Sequence, residues 1–136
     1  MDEKWFQKRM LMAAEEEGCH AFKMTEMFAS GRPDLYIKHP LLSQGVWVEL
    51  KWSPMTKNGI RVLTTPLQRL FLKKEQEAGG KAMWVIGVPH DDAVSIYAGT
   101  DTKVGAIPID NVVQSIQLRP SIGRINLVAI LSVAFA

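Results

Sequence analysis

"VWVELKW", residues 46–52, alternates apolar and polar side chains over most of its length. Successive side chains of a strand point to opposite faces of the sheet. Val46, Val48, Leu50 and Trp52 therefore share one face and suit a core. Trp47, Glu49 and Lys51 share the other. The run "DLYIKH", residues 34–39, repeats the pattern, with Leu35 and Ile37 on one side and Asp34, Tyr36 and Lys38 on the opposite one. If the two runs are neighbouring strands, Asp34, Glu49 and Lys51 converge at one end of a single sheet face.

The surrounding chain supplies the rest of such a sheet. Residues 3–17 read as a helix with Phe6, Met10, Ala13 and Ala14 on one face and Gly18 as its stop. Three glutamates at its C-terminal end, Glu15, Glu16 and Glu17, oppose the helix dipole. "CHAFKM" (19–24) is a first strand, "TEMFASGRP" a loop and "HPLLSQG" a turn. "SPMTKNGIRVLTT" is a long polar connection with an Asn58-Gly59 turn signal. Residues 66–78 form a helix, with Thr65 as N-cap, Pro66 in the first helical position and Gly79-Gly80 as its end. Its expected buried stripe is Leu67, Leu70 and Phe71. "KAMWVIGV" (81–88) is a continuous apolar run, as in a strand covered on both faces. "AVSIYA" (93–98) is a further strand, and "IPIDNVVQSI" (107–116) reads as a short helix beginning near Pro108. The order α-β-β-β-α-β predicts an α/β fold, a mixed central sheet flanked by helices, in a single domain over residues 1–136.

Charge is distributed unevenly. The formal net charge is only +2, yet between Lys23 and Lys74 nine basic residues face three acids. That balance suits a polyanion partner, and equally an ordinary solvated surface. A single cysteine, Cys19, excludes an internal disulfide framework and a cysteine-rich zinc site, and fits a reducing compartment. His20, His39 and His90 lack metal-ligand spacing. The charged start, "MDEKWFQKR", does not read as a signal peptide. The apolar end, "INLVAILSVAFA" (125–136), is shorter than the roughly 20 residues that span a bilayer. It reads as a buried strand, a short helix or part of a subunit interface.

Two carboxylates held together repel, and each prefers water. A divalent cation removes the conflict. Mg²⁺ takes hard oxygen ligands, commonly one or two carboxylates with waters and a substrate phosphate. An adjacent lysine stabilises charge developing at phosphorus. The same spacing also fits Asp34 as a turn residue after Pro33, with Glu49 and Lys51 as a solvated pair on an edge strand.

Pro33-Asp34 followed by Glu49-Leu50-Lys51 resembles the PD-(D/E)XK signature of restriction-endonuclease-like nucleases. The ordered set "SGRPDLYI", "GVWVELKW", "LTTPLQRLF" and "EAGGKAMWVIGV" is similar to the VRR-NUC branch, over roughly residues 3–92. That branch includes the nuclease domain of the Fanconi-associated nuclease and small stand-alone phage and bacterial proteins. The resemblance implies that Asp34 and Glu49 hold the metal with the Leu50 carbonyl, and that Lys51 is the catalytic lysine. It makes Gln68 the active-site glutamine of the helix after the catalytic strand. Thr65-x-x-Gln68 is also a capping box, and the two roles are compatible. Glu3, with Gln7 four residues on, matches the first-helix acid that touches the metal or its waters, although an acid near a helix N-terminus is favourable in any case. Lys23 matches a basic residue near the scissile phosphate.

The expected function is therefore a Mg²⁺-dependent DNA endonuclease, with Mn²⁺ as a substitute metal. Lys23, Lys57, Arg61, Arg69, Lys73 and Lys74 are the candidate phosphate contacts. No base-reading motif is visible, so structure-selective cutting of the Holliday-junction resolvase kind is expected, from a two-fold homodimer. Residues 93–136 lie beyond the family core; the C-terminal segment, Trp47 and Trp52 are candidates for the interface. A nickase, repair or restriction-type nuclease acting on duplex or flap DNA is the alternative, as is a non-catalytic DNA-binding module. The implied setting is the cytoplasm of a bacterial or phage-infected cell, without a membrane partner.

Overall fold

The alternation of the central strands organises the molecule. The computed structural model describes residues 1–24, 31–54, 59–61, 64–102, 106–107, 112–117 and 123–136. Helix α1 (Glu3–Glu16) leads into β1 (His20–Lys23), β2 (Leu35–Lys38) and β3 (Val46–Trp52). A short β4 (Ile60–Arg61) precedes α2 (Pro66–Glu77). There follow β5 (Lys81–His90), β6 (Ala93–Gly99), β7 (Ala106–Ile107) and β8 (Gln114–Gln117). Helix α3 (Leu127–Leu131) continues into a 3-10 turn over Ser132–Phe135.

Six strands make one mixed sheet in the order β1-β2-β3-β5-β6-β8. Only β3 and β5 run parallel, and α2 is the crossover between them. All other neighbours in this sheet are antiparallel. Apart from the short β4, the chain runs α1-β1-β2-β3-α2-β5, which is the α-β-β-β-α-β order and flanked mixed sheet expected from the sequence. Strands β4 and β7 pair separately as a two-stranded ribbon.

Each sheet face has its own core. On one face Phe6, Met10, Ala13 and Ala14 of α1 pack with Leu35, Ile37, Val46, Val48, Leu50, Met83 and Val85. Leu127, Ile130, Leu131 and Ala134 of the C-terminal segment are buried in the same cluster. The apolar end of the chain is thus a short helix used within its own core. On the opposite face Leu72 of α2 meets Ile60, Ala82, Trp84, Ile86, Val88 and Tyr97. Strand β5 serves both cores, which explains its unbroken apolar run. Gly87 has no side chain because a Cβ there would lie 2.8 Å from the Trp52 ring.

Glu17 fastens the C-terminal segment to the rest. Its carboxylate accepts the N–H groups of Leu127 (2.8 Å) and Val128 (3.2 Å) at the start of α3. It also lies 3.0 Å from Nε2 of buried His39. The Leu41 N–H donates to His39 Nδ1, so Nε2 carries the proton given to Glu17. Glu16 pairs with Arg124 at 3.4 Å. Glu16 and Glu17 at the end of α1 therefore have tertiary partners despite opposing the helix dipole.

Two sequence expectations are corrected. In α2, Leu67 and Leu70 are exposed, Phe71 is half-buried, and the buried apolar residue is Leu72. The helix turns a different stripe to the sheet because Gln68 and Leu72, one turn apart, both face inward. The expected helix over 107–116 is also not formed at its end: Gln114–Gln117 is strand β8, paired to β6, with Ile116 buried and Ser95 opposite Ser115. Its expected start at Pro108, like Lys57, Asn58 and residues 25–30, lies outside the described residues.

Candidate active site

Strand β3 presents Glu49 and Lys51 on the α2 face, as its alternation requires. The Lys51 ammonium lies 3.4 Å from Glu49 Oε1. Asp34 immediately precedes β2, and its Oδ2 accepts the Leu50 N–H at 2.9 Å. The Met24 N–H donates to the Asp34 carbonyl at 2.7 Å, which ties the end of β1 to the same corner. Asp34, Glu49 and Lys51 thus meet at one end of the sheet.

Helix α2 contributes Gln68. Its Nε2 donates to Glu49 Oε1 at 2.9 Å, while its Oε1 accepts the Thr65 N–H at 2.9 Å. The Gln68 N–H in turn donates to Thr65 Oγ1 at 3.2 Å. One amide closes the capping box and holds the carboxylate, so its orientation is fixed at both ends. Gly31 lets the chain before Asp34 reach this helix start. It has φ +76°, and a Cβ there would sit 2.5 Å from the Leu67 carbonyl oxygen.

The electrostatics centre on Glu49, which is 2% exposed. Burial pushes its carboxyl up to about 8, and the neighbouring Asp34 charge adds to this; Lys51 acts in the opposite direction. Both donors, Gln68 and Lys51, address Oε1. Oε2 is buried without a hydrogen-bond partner. A buried carboxylate oxygen left without a donor, beside a second carboxylate, is the donor set a hard cation requires. Among the described residues no group of three or more His, Cys, Asp or Glu side chains converges on such a point. Two carboxylates, completed by a backbone carbonyl and waters, nevertheless fit Mg²⁺.

The remaining predicted residues are more scattered. Glu3, Gln7 and Lys23 line one groove between α1 and β1. Arg69 is half-buried and its guanidinium donates to the Thr64 carbonyl, bracing the start of α2. Lys73 is exposed, 4.0 Å from Glu77, and Lys74 is exposed in the last turn. Arg61 is placed by its backbone in β4, and Lys57 lies outside the described residues. Trp47 stacks edge-on between Tyr36 (5.0 Å) and Phe71 (5.3 Å), and Trp52 packs on Trp5 and Phe6. The capping box expected from Thr65-x-x-Gln68 is present, and through Gln68 it links Thr65 to Glu49.

No protein-family model and no curated protein matches the chain. Among solved structures it is similar to Hjc of Archaeoglobus fulgidus, a Holliday junction resolvase from an archaeal hyperthermophile. The two share 13% identity with a TM-score of 0.45, over 66% of this chain and 73% of that one. Among the described residues no helix is long and apolar enough to cross a membrane.

Proposed function

We propose that this chain is a metal-dependent DNA endonuclease of the VRR-NUC type. The observation that carries the reading is the Glu49 carboxylate: one oxygen held by Gln68 and Lys51, the other buried without a donor, and the group as a whole close to the Asp34 carboxylate. In this reading Asp34, Glu49 and the Leu50 carbonyl hold Mg²⁺ or Mn²⁺, with Glu3 acting directly or through water. When bound, such an ion supplies Lewis-acid polarisation of a phosphoryl oxygen and lowers the pKa of its water.

The chain's own groups do the rest. Asp34 is held in place by the Leu50 N–H, so its carboxylate is oriented before any ligand arrives. Gln68 fixes Glu49. Lys51, in contact with Glu49 and partly open to solvent, stabilises the extra negative charge on the pentacovalent phosphorus or orients the attacking water. Lys23, Lys57, Arg61, Arg69, Lys73 and Lys74 are the proposed backbone contacts, a term that is independent of sequence. Structure-selective cutting of branched DNA, by a homodimer, is the finer form of the proposal.

The test is cleavage of labelled four-way junction, flap, duplex and single-stranded DNA with Mg²⁺ or with EDTA. Cutting is expected only with the metal, and not by Asp34→Ala or Lys51→Ala. Activity in EDTA, or full activity of Lys51→Ala, would overturn the mechanism. Preference for the four-way junction would select the resolvase form.

A further inference from the structure

Helix α1 begins with Asp2 and Glu3 in keeping with its dipole, but the charges that follow run against it. Lys4 and Lys8 stand in its N-terminal half, where the dipole disfavours cations, and Glu15 and Glu16 in its last turns. Most of this pattern has tertiary causes. Arg9 donates to the Gly123 carbonyl at 3.4 Å, and Glu16 and Glu17 hold Arg124 and α3. Lys4 and Lys8 have no ion-pair or hydrogen-bond partner among the described residues, and both are exposed. They are also like charges at i and i+4, which destabilises a helix. Folding gives no reason for this pair.

Their position gives one. Lys4 and Lys8 line a groove of about 510 Å³ together with Leu11, Glu3, Gln7 and Lys23. Lys23, on the edge strand β1, is likewise without an ion-pair partner among the described residues. Three ammonium groups face one carboxylate across this groove. Its β1 end reaches the same corner of the sheet as Asp34, although Glu49 and Lys51 face α2: Lys23 lies opposite Leu35 in register, and the next residue, Met24, donates to the Asp34 carbonyl.

We propose that the α1–β1 groove carries the sugar–phosphate backbone of the DNA strand to Asp34, with Lys4 and Lys8 as phosphate contacts. The inference rests on the nuclease reading and names the path of its substrate. It places the strand along the edge of the sheet at β1, a route separate from the lysines of α2.

The test compares wild type with the Lys4→Ala/Lys8→Ala pair and the Lys4→Arg/Lys8→Arg pair. Binding to labelled duplex, single-stranded and four-way-junction DNA is measured by anisotropy in EDTA across a salt series, with melting temperatures alongside. The alanine pair is expected to bind at least about tenfold more weakly at roughly 0.1 M salt. The slope of log K against log salt should shrink by about 1.4 on single strands and about 1.8 on duplex, two contacts' worth. Its melting temperature should stay level or rise, since an unfavourable charge pair is gone, and the arginine pair should bind like wild type. An unchanged slope, a loss of binding accompanied by a lowered melting temperature, or no recovery with arginine overturns the proposal. Wild type that cuts DNA while the alanine pair binds normally sinks this inference alone. Wild type that binds none of the three DNAs sinks the nuclease reading with it.

Discussion

Gln68 donates to Glu49 Oε1 at 2.9 Å with the same amide whose oxygen closes the cap of α2. The start of a helix and the orientation of a buried carboxylate are thereby one hydrogen-bonded unit. Gln68→Glu separates the two roles: a glutamate still accepts the Thr65 N–H but repels Glu49. We expect a melting temperature near wild type at low pH, a steeper loss of stability than wild type as pH rises in EDTA, and relief of that loss by added Mg²⁺. Gln68→Ala loses both roles and should also lose about 1 kcal/mol of stability in urea denaturation. Equal pH profiles of stability in EDTA for wild type and Gln68→Glu would refute the link.

Lys51 contacts Glu49 but keeps 19% of its side chain exposed, enough to meet a ligand. Lys51→Ala should lower kcat by about 10² to 10³, the usual effect of removing one group that stabilises developing charge. Junction or duplex binding in EDTA should change far less. Single-turnover cleavage and anisotropy measure the two separately.

Glu49 gives the metal-free protein a definite pH dependence. Its folded pKa, about 8, lies above the ordinary carboxyl value of 4.5, so between those values the folded state holds the extra proton. Stability must then fall as pH rises from about 4.5 through about 8, by several kcal/mol at about 1.4 kcal/mol per unit. Melting temperatures in EDTA should show that decline, and Glu49→Gln should flatten it. Added Mg²⁺ should raise the melting temperature most on the alkaline side, where the carboxylate is ionised. A flat profile for wild type in EDTA would contradict the burial argument.

Glu17 accepts two N–H groups of α3 and holds the buried His39. Glu17→Ala leaves these buried donors unmatched, and a loss of about 2 to 3 kcal/mol is expected from chemical denaturation. Amide exchange at Leu127 and Val128 should accelerate. The chemistry of the site, on the other sheet face, should keep its kcat.

A resolvase must make two symmetric cuts, so the finer form of the functional proposal requires a two-fold dimer. Sedimentation at micromolar concentration should report twice the chain mass. A monomer there, with intact junction cleavage, would leave a nuclease that is not a resolvase of this kind.

The central strands were legible because a strand has only two faces. Once Val48 and Leu50 are assigned to the core, Glu49 and Lys51 have nowhere else to go, and Leu35 and Ile37 do the same for Asp34. A helix is less constrained. Residues 66–77 offer two stripes, Leu67-Leu70-Phe71 and Gln68-Leu72-Gln76, and hydrophobicity favours the first. The structure takes the second, because Leu72 fills the core and Gln68 and Gln76 satisfy Glu49 and the carbonyls of Ala82 and Thr100. Hydrogen-bond demand set the rotation of α2, and an apolarity pattern contains no such term. Strand β8 was missed for a related reason: only Ile116 is buried in its four residues, so its pairing with β6 is carried by backbone bonds.

Gly31 has a consequence for the site as a mechanism of moving parts. Its backbone lies against Leu67, and three residues later Asp34 is clamped by Leu50. Residues 31–34, the first turn of α2 and the end of β3 are therefore geared together: Glu49 cannot swing away without releasing Gln68 of α2, nor Asp34 without releasing the Leu50 N–H. The orientation of both carboxylates is thus set once, during folding. A side chain at position 31, even a single methyl, would slip that gearing without touching Asp34, Glu49 or Lys51 directly.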